Sequence, residues 1–181
     1  MKKSSDTAFR LLDIEASLIS NVDVMEATEV SKSSDAGRLR QLEDVLAIGN
    51  LKAAYCAACD DDHNGERVTH LFVPDGVWET SINGKHPGHA AIRAFFNGVR
   101  ASGRMSYSTH MVTNQVINIT GDEATGSWSF MMMYTSPNDE RYRIIGFYRD
   151  TFVRTADGWR FASLFSDVQD YVLLETSSVK R

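Results

Sequence analysis

From Thr109 onward the chain alternates polar and apolar residues with a period of two, four times in succession. The runs are Thr109–Thr120, Ala124–Thr135, Tyr142–Arg154 and Trp159–Tyr171, and turn-forming residues separate them: Gly121-Asp122, Pro137-Asn138-Asp139 and Asp157-Gly158. Successive strand side chains point to opposite faces, so each run reads as a strand with one buried face. Short turns of this composition join neighbours. The pattern predicts a four-strand antiparallel meander.

Upstream the period is helical. Leu39, Leu42, Leu46, Gly49, Ala53, Cys56 and Asp60 fall at alternating spacings of four and three, one stripe of a helix over Arg38–Asp60 with Ser34 or Asp35 as its cap. The stripe passes from leucines to small residues and ends on a carboxylate, as in a helix that leaves a packed core and enters a cavity. Asn64-Gly65 breaks it, and Glu66–Phe72 reads as a second short helix. Val77–Thr80 and Ser81-Ile82 read as a short hairpin closed by Asn83-Gly84. His89–Val99 is a further amphipathic helix with Ile92, Phe95, Phe96 and Val99 inward. Helices first and antiparallel strands last give the α+β class. A long curved sheet wrapped around a helix makes a cone with one open end, a natural small-molecule pocket. Residues 1–35 read as an arm and linker, 36–174 as the domain and 175–181 as a tail.

Composition excludes several functions. The chain of 181 residues can bury a core without disulfides or metals, and its charge is 19 − 24 = −5, unsuited to replacing phosphate counterions on nucleic acid. No apolar run approaches the roughly 20 residues of a membrane span. Charged residues interrupt the first stretch, so no secretory leader is read there. The two cysteines, Cys56 and Cys59, make no disulfide framework, and a reduced cytoplasmic setting is expected.

Few residues can carry chemistry. Cys56-Ala-Ala-Cys59 lacks the further ligands zinc requires and reads as two small apolar helix positions. Asp60-Asp61-Asp62-His63 reads as a solvated helix end, with Asp60 the carboxylate that turns inward. His63, His70, His86 and His89 lie in helix ends or loops and are expected in solvent. His110 differs, because it opens the first long strand on the parity of Val112 and Asn114. An inward carboxylate and a strand-start imidazole on opposite walls of one cone make a general base. Tyr55 is a candidate phenol donor, although about 500° of helix rotation separates it from Asp60. Trp78, Trp128 and Tyr148 are expected pocket walls, while Arg149 and Arg154 are expected in surface ion pairs. No metal set or cofactor fingerprint is present, so no cofactor is expected.

The sequence resembles the SnoaL-like branch of the nuclear transport factor 2-like superfamily from about Arg38 to Tyr171. Its carrying residues are Tyr55-Cys-Ala-Ala-Cys-Asp60, Phe72-Val-Pro-Asp75-Gly76-Val-Trp78-Glu79, Gly88-His-Ala-Ala-Ile92-Arg-Ala-Phe95-Phe96 and Thr109-His110-Met-Val-Thr-Asn114. They continue in Ala124-Thr125-Gly126, Tyr148-Arg149-Asp150 and Asp157-Gly158-Trp159-Arg160-Phe161. Among catalytic relatives it is similar to scytalone dehydratase, the bile acid 7α-dehydratases and hexachlorocyclohexane dehydrochlorinase, none of which uses a cofactor. The resemblance implies an Asp–His dyad at Asp60 and His110, a tyrosine at Tyr55 and a pocket asparagine at Asn114. The second active-site histidine of scytalone dehydratase falls on Trp128 and its pocket asparagine on Tyr148, which implies a more apolar pocket.

The expectation is a cofactor-independent lyase acting by elimination on an apolar cyclic molecule such as a steroid, terpenoid or polyketide, in a homo-oligomer (dimer or trimer). A double-bond isomerase is the alternative within enzymes. A non-catalytic β subunit of a ring-hydroxylating dioxygenase, or a ligand-binding module, is the alternative outside them.

Overall fold

The computed structural model describes residues 34–176. The expected arm lies outside the described residues up to residue 33, and the expected tail does so from residue 177. The chain divides into two units, Met1–Arg38 and Leu39–Arg181. In the first, the Ser34 hydroxyl accepts from the Gly37 N–H at 3.3 Å, so serine fills the cap position.

Helix α1 (Asp35–Asp60) is followed by α2 (Gly65–Thr69), β1 (Phe72–Thr80), β2 (Gly84–Pro87) and α3 (Gly88–Ser102). Four long strands complete the second unit: β3 (Ser106–Thr120), β4 (Glu123–Thr135), β5 (Glu140–Thr155) and β6 (Gly158–Thr176). They form the expected antiparallel meander within one six-stranded sheet of order β2-β1-β6-β5-β4-β3. The fold is α+β, with a curved sheet whose edge strands β2 and β3 do not meet. Register shifts at Thr113/Val116 in β3 and at Ile145/Gly146 and Thr151/Phe152 along β5–β6 bend it. No helix among the described residues is long and apolar enough to cross a membrane.

Two local expectations change. The second helix stops at Thr69 because Phe72 already starts β1, where it stacks on Phe161 with ring centroids 5.0 Å apart. Ser81 and Ile82 lie in the turn and not in a strand, since β1 pairs with β2 through Thr80 opposite Gly84. Beyond the expected meander, β1 runs parallel to β6, with Trp78 opposite Leu164 and Thr80 opposite Ser166.

The buried stripe of α1 is rotated from the expected one. Leu39, Leu42 and Leu46 are 57%, 63% and 67% exposed, whereas Asp44, Ile48, Leu51, Lys52, Tyr55 and Cys59 face inward. Two charged residues occupy that face because the sheet supplies their counter-charges. Asp44 accepts from both terminal nitrogens of Arg154 at 2.6 and 2.7 Å, and from Trp159 Nε1 at 3.0 Å. Lys52 Nζ donates to Asp150 Oδ2 at 2.8 Å and lies 3.3 Å from the Tyr148 ring centroid. Burial pushes the lysine down and the aspartate up, to about 6, while their mutual attraction opposes both shifts.

Candidate active site

Inside the curve of the sheet lies a cavity of about 490 Å³, within the size range of small-molecule sites. Its apolar wall includes Phe95, Phe96, Met105, Phe130, Met132 and Ile144. The alternation of β4 produces part of it: Phe130 and Met132 are buried while Met131 and Met133 point outward. Polar groups enter from Tyr55, His63, Thr80, His110, Tyr148 and Ser166.

His110 and Asp60 meet. The imidazole is 6% exposed and the carboxylate 25%. Asp60 Oδ1 lies 2.6 Å from His110 Nδ1, and Oδ2 accepts from the His110 backbone N–H at 2.9 Å. Burial raises the Asp60 pKa. Hydrogen bonds from the His110 ring and backbone, the charge of that ring and the Ser108 hydroxyl together bring it below the usual carboxylate range. An ionised carboxylate can only accept, so Nδ1 carries a proton, and in the neutral ring the lone pair is on Nε2. That is the tautomer of a base whose second nitrogen is braced by an anion.

Tyr55 lines the same cavity and is almost fully buried, and its oxygen accepts from Trp78 Nε1 at 2.8 Å. Burial raises its pKa far above the ordinary phenol value, with Cys59 and Tyr148 adding to the effect and the Trp78 bond opposing it. The phenol therefore stays protonated. Trp78 and Tyr148 line the cavity as expected wall residues.

Two expected pocket residues do not reach it. Asn114 is exposed, and its amide donates to Ser129 Oγ at 3.4 Å. The reason is the β3 bulge: Asn114 has a left-handed φ of 55°, and the alternation that points His110 and Val112 inward is broken there. Trp128 is buried on the inner face but lies beyond the cavity, packed on Phe152 with ring centroids 6.0 Å apart and 5.1 Å from Lys52 Nζ. Arg149 pairs with Asp167 on the exposed face, whereas Arg154 reaches inward to Asp44.

His63 is the residue that sequence reasoning missed. It is 5% exposed and lines the cavity, against the expectation of a solvated helix end. It lies past the end of α1, in a turn of left-handed backbone that returns its side chain to the cavity, so helical spacing carries no signal for it. Cys56 and Cys59 are free and buried, and burial pushes the Cys56 thiol up to about 11. Among the described residues, no group of three or more His, Cys, Asp or Glu side chains is arranged to hold a metal.

Comparison with known proteins identifies relatives. A proposed aromatic ring hydroxylase from Novosphingobium aromaticivorans is 29% identical, with a TM-score of 0.68 over 74% of this chain and 94% of that one. A type 2 hexachlorocyclohexane dehydrochlorinase (LinA) is 17% identical, with a TM-score of 0.71 over 80% of this chain and 97% of the other. A proposed scytalone dehydratase from Novosphingobium aromaticivorans DSM 12444 is 19% identical, with a TM-score of 0.68 over 79% and 93%. The last two likenesses are of fold. None of the curated proteins compared with the chain matches it. The model of the SnoaL-like domain matches residues 40–164, and the chain belongs to the SnoaL-like family.

Proposed function

We propose that the protein is a cofactor-independent lyase that eliminates water, or another small leaving group, from an apolar cyclic substrate. The single observation that carries the reading is the His110 imidazole, held by Asp60 at 2.6 Å on the wall of a largely apolar cavity. The Nε2 lone pair takes a proton from a carbon next to a carbonyl, and the C–H electron pair moves onto the carbonyl oxygen. That pair returns as a carbon–carbon double bond and expels the hydroxyl on the next carbon. The hydroxyl leaves as water with the proton His110 took, aided by a hydrogen bond from Tyr55. A substrate that fills the cavity displaces water from it, which strengthens each of these interactions.

The dehydratase and dehydrochlorinase names of structural relatives support this reaction class. The aromatic ring hydroxylase name supports a second reading, a non-catalytic subunit or binding module in which the cavity only holds a ligand. A double-bond isomerase would use the same first step and return the proton to another carbon. A homo-oligomer in the cytoplasm completes the proposal, and light scattering on the purified chain checks its size.

The test is mass spectrometry of products after incubation with a panel of hydroxylated steroids and terpenoids. A product lighter by one water supports elimination, and one of unchanged mass with a moved double bond supports isomerisation. On a converted substrate, His110→Ala is expected to lower turnover by about 10²–10⁴-fold with the fold intact. Full turnover by a folded His110→Ala protein removes the proposal.

A further inference from the structure

His63 is the pocket imidazole that this reaction leaves unused. It follows α1 in left-handed backbone, with φ of 54° after Asp62 at 52°. Such backbone is uncommon outside glycine, although Asp, Asn and His enter it more readily than other residues. Two main-chain bonds hold the turn: His63 N–H to the Cys59 carbonyl at 2.9 Å, and Asn64 N–H to the Ala58 carbonyl at 3.1 Å. Asp62 turns outward to Arg100 at 2.9 Å, and His63 turns inward.

The inward position is unfavourable for an idle imidazole. Nδ1 is closed off from solvent and has no hydrogen-bond partner, a loss that an apolar side chain would not incur. The ring nevertheless lines the cavity shared by His110 and Tyr55. Burial lowers its pKa and the neighbouring His110 charge adds to the effect, with Asp62 and Asp60 opposing, so near neutrality the ring carries a single N–H. With Nδ1 enclosed, Nε2 is the nitrogen that meets a ligand.

We infer that His63 is a further catalytic residue, donating a hydrogen bond through Nε2 to the substrate oxygen on which the enolate charge develops. Neutral imidazole is suited to this work, because it polarises a carbonyl without giving up its proton. The inference rests on the lyase reading and deepens it. It specifies a carbonyl-bearing substrate over a halogenated hydrocarbon, since a halogen on carbon is a poor acceptor. His110 removes the proton, Tyr55 serves the departing oxygen and His63 holds the carbonyl.

The experiment compares two probes of similar shape, 2-acetonaphthone and 2-ethylnaphthalene, by equilibrium binding. The ketone can only accept, so the Nε2 lone pair of His110 cannot bind it. His63→Asn suits the left-handed backbone but is too short to present a donor at the Nε2 position, whereas His63→Gln reaches there. His63→Asn is expected to weaken ketone binding roughly three- to ten-fold, with hydrocarbon binding unchanged. His63→Gln is expected to keep most of the ketone affinity. The carbonyl stretch of bound ketone, lowered in frequency in the wild type, is expected to rise in His63→Asn. Unchanged ketone affinity in His63→Asn overturns the inference, as does equal weakening of both probes or a wild type that does not bind the ketone. A preference lost in Tyr55→Phe but kept in His63→Asn assigns the donor to Tyr55 and also overturns it. None of these outcomes bears on the lyase reading, which fails separately through unchanged turnover in His110→Ala.

Discussion

Gly146 is the position of the sheet least able to accept a side chain. A Cβ there would lie 2.1 Å from the Asp167 carbonyl oxygen and 2.8 Å from the Phe130 ring. The first of these is backbone at a bulge and cannot swing away. Gly146→Ala is therefore expected to destabilise the protein by about 1–3 kcal/mol or more, read from urea unfolding. His63 makes a different prediction at the same scale. Its pKa is lowered in the folded state, so the unfolded chain binds the proton more readily as pH falls through roughly 6.5, and stability is lost there. The difference between wild type and His63→Asn isolates the histidine. Between pH 7.5 and 5.5 the melting temperature of His63→Asn is expected to fall less than that of the wild type. Parallel falls would mean that His63 does not titrate between the two states.

Helix α1 is fixed to β5 by two ion pairs whose members run in opposite directions along the two elements. Along the helix an acid, Asp44, precedes a base, Lys52; along β5 an acid, Asp150, precedes their other partner, Arg154. Reversing the helix would set Asp44 beside Asp150 and Lys52 beside Arg154, two like-charge contacts in a dry interior. The ion pairs thus select a direction more than they add stability, because desolvation offsets much of their attraction. Asp150→Asn is expected to cost about 3–5 kcal/mol by leaving the ammonium buried without its counter-charge. The double change Lys52→Met with Asp150→Leu is expected to recover most of that in denaturant titration. A double variant as unstable as the single one would refute this account. The same charges explain what the sequence concealed. Strands β3 to β6 were legible to within a few residues because one-sided burial enforces their period. The α1 stripe was misread because exposed leucines mimic a core face while Asp44 and Lys52 occupy the real one. Asp60 still meets His110 because it adjoins Cys59 at the margin of that face. Asn114 was misjudged because a bulge reverses its parity. His63 was missed because it lies beyond α1 in left-handed backbone, where helical spacing no longer says which way a side chain points.

At the scale of the whole sheet, what periodicity could not convey is the pairing of β1 with β6. Each alternating run shows its own faces and, through a short turn, its next neighbour, but the parallel contact joins the first strand to the last. Contacts so distant in sequence carry a large loop-closure cost and slow folding. In refolding followed by pulsed hydrogen exchange, the amides of Trp78 and Glu79 are expected to gain protection no earlier than those of Leu164 and Phe165. Earlier protection of β1 would contradict the dependence. The same topology orders events on the ribosome. The β3–β4–β5 hairpins can form as they emerge, but Trp78 and Thr80 have only the short β2 beside them until Leu164 and Ser166 have been synthesised. A nascent chain therefore carries its imidazole and carboxylate long before it has a chamber to hold a ligand, and it becomes competent only when β6 has been made.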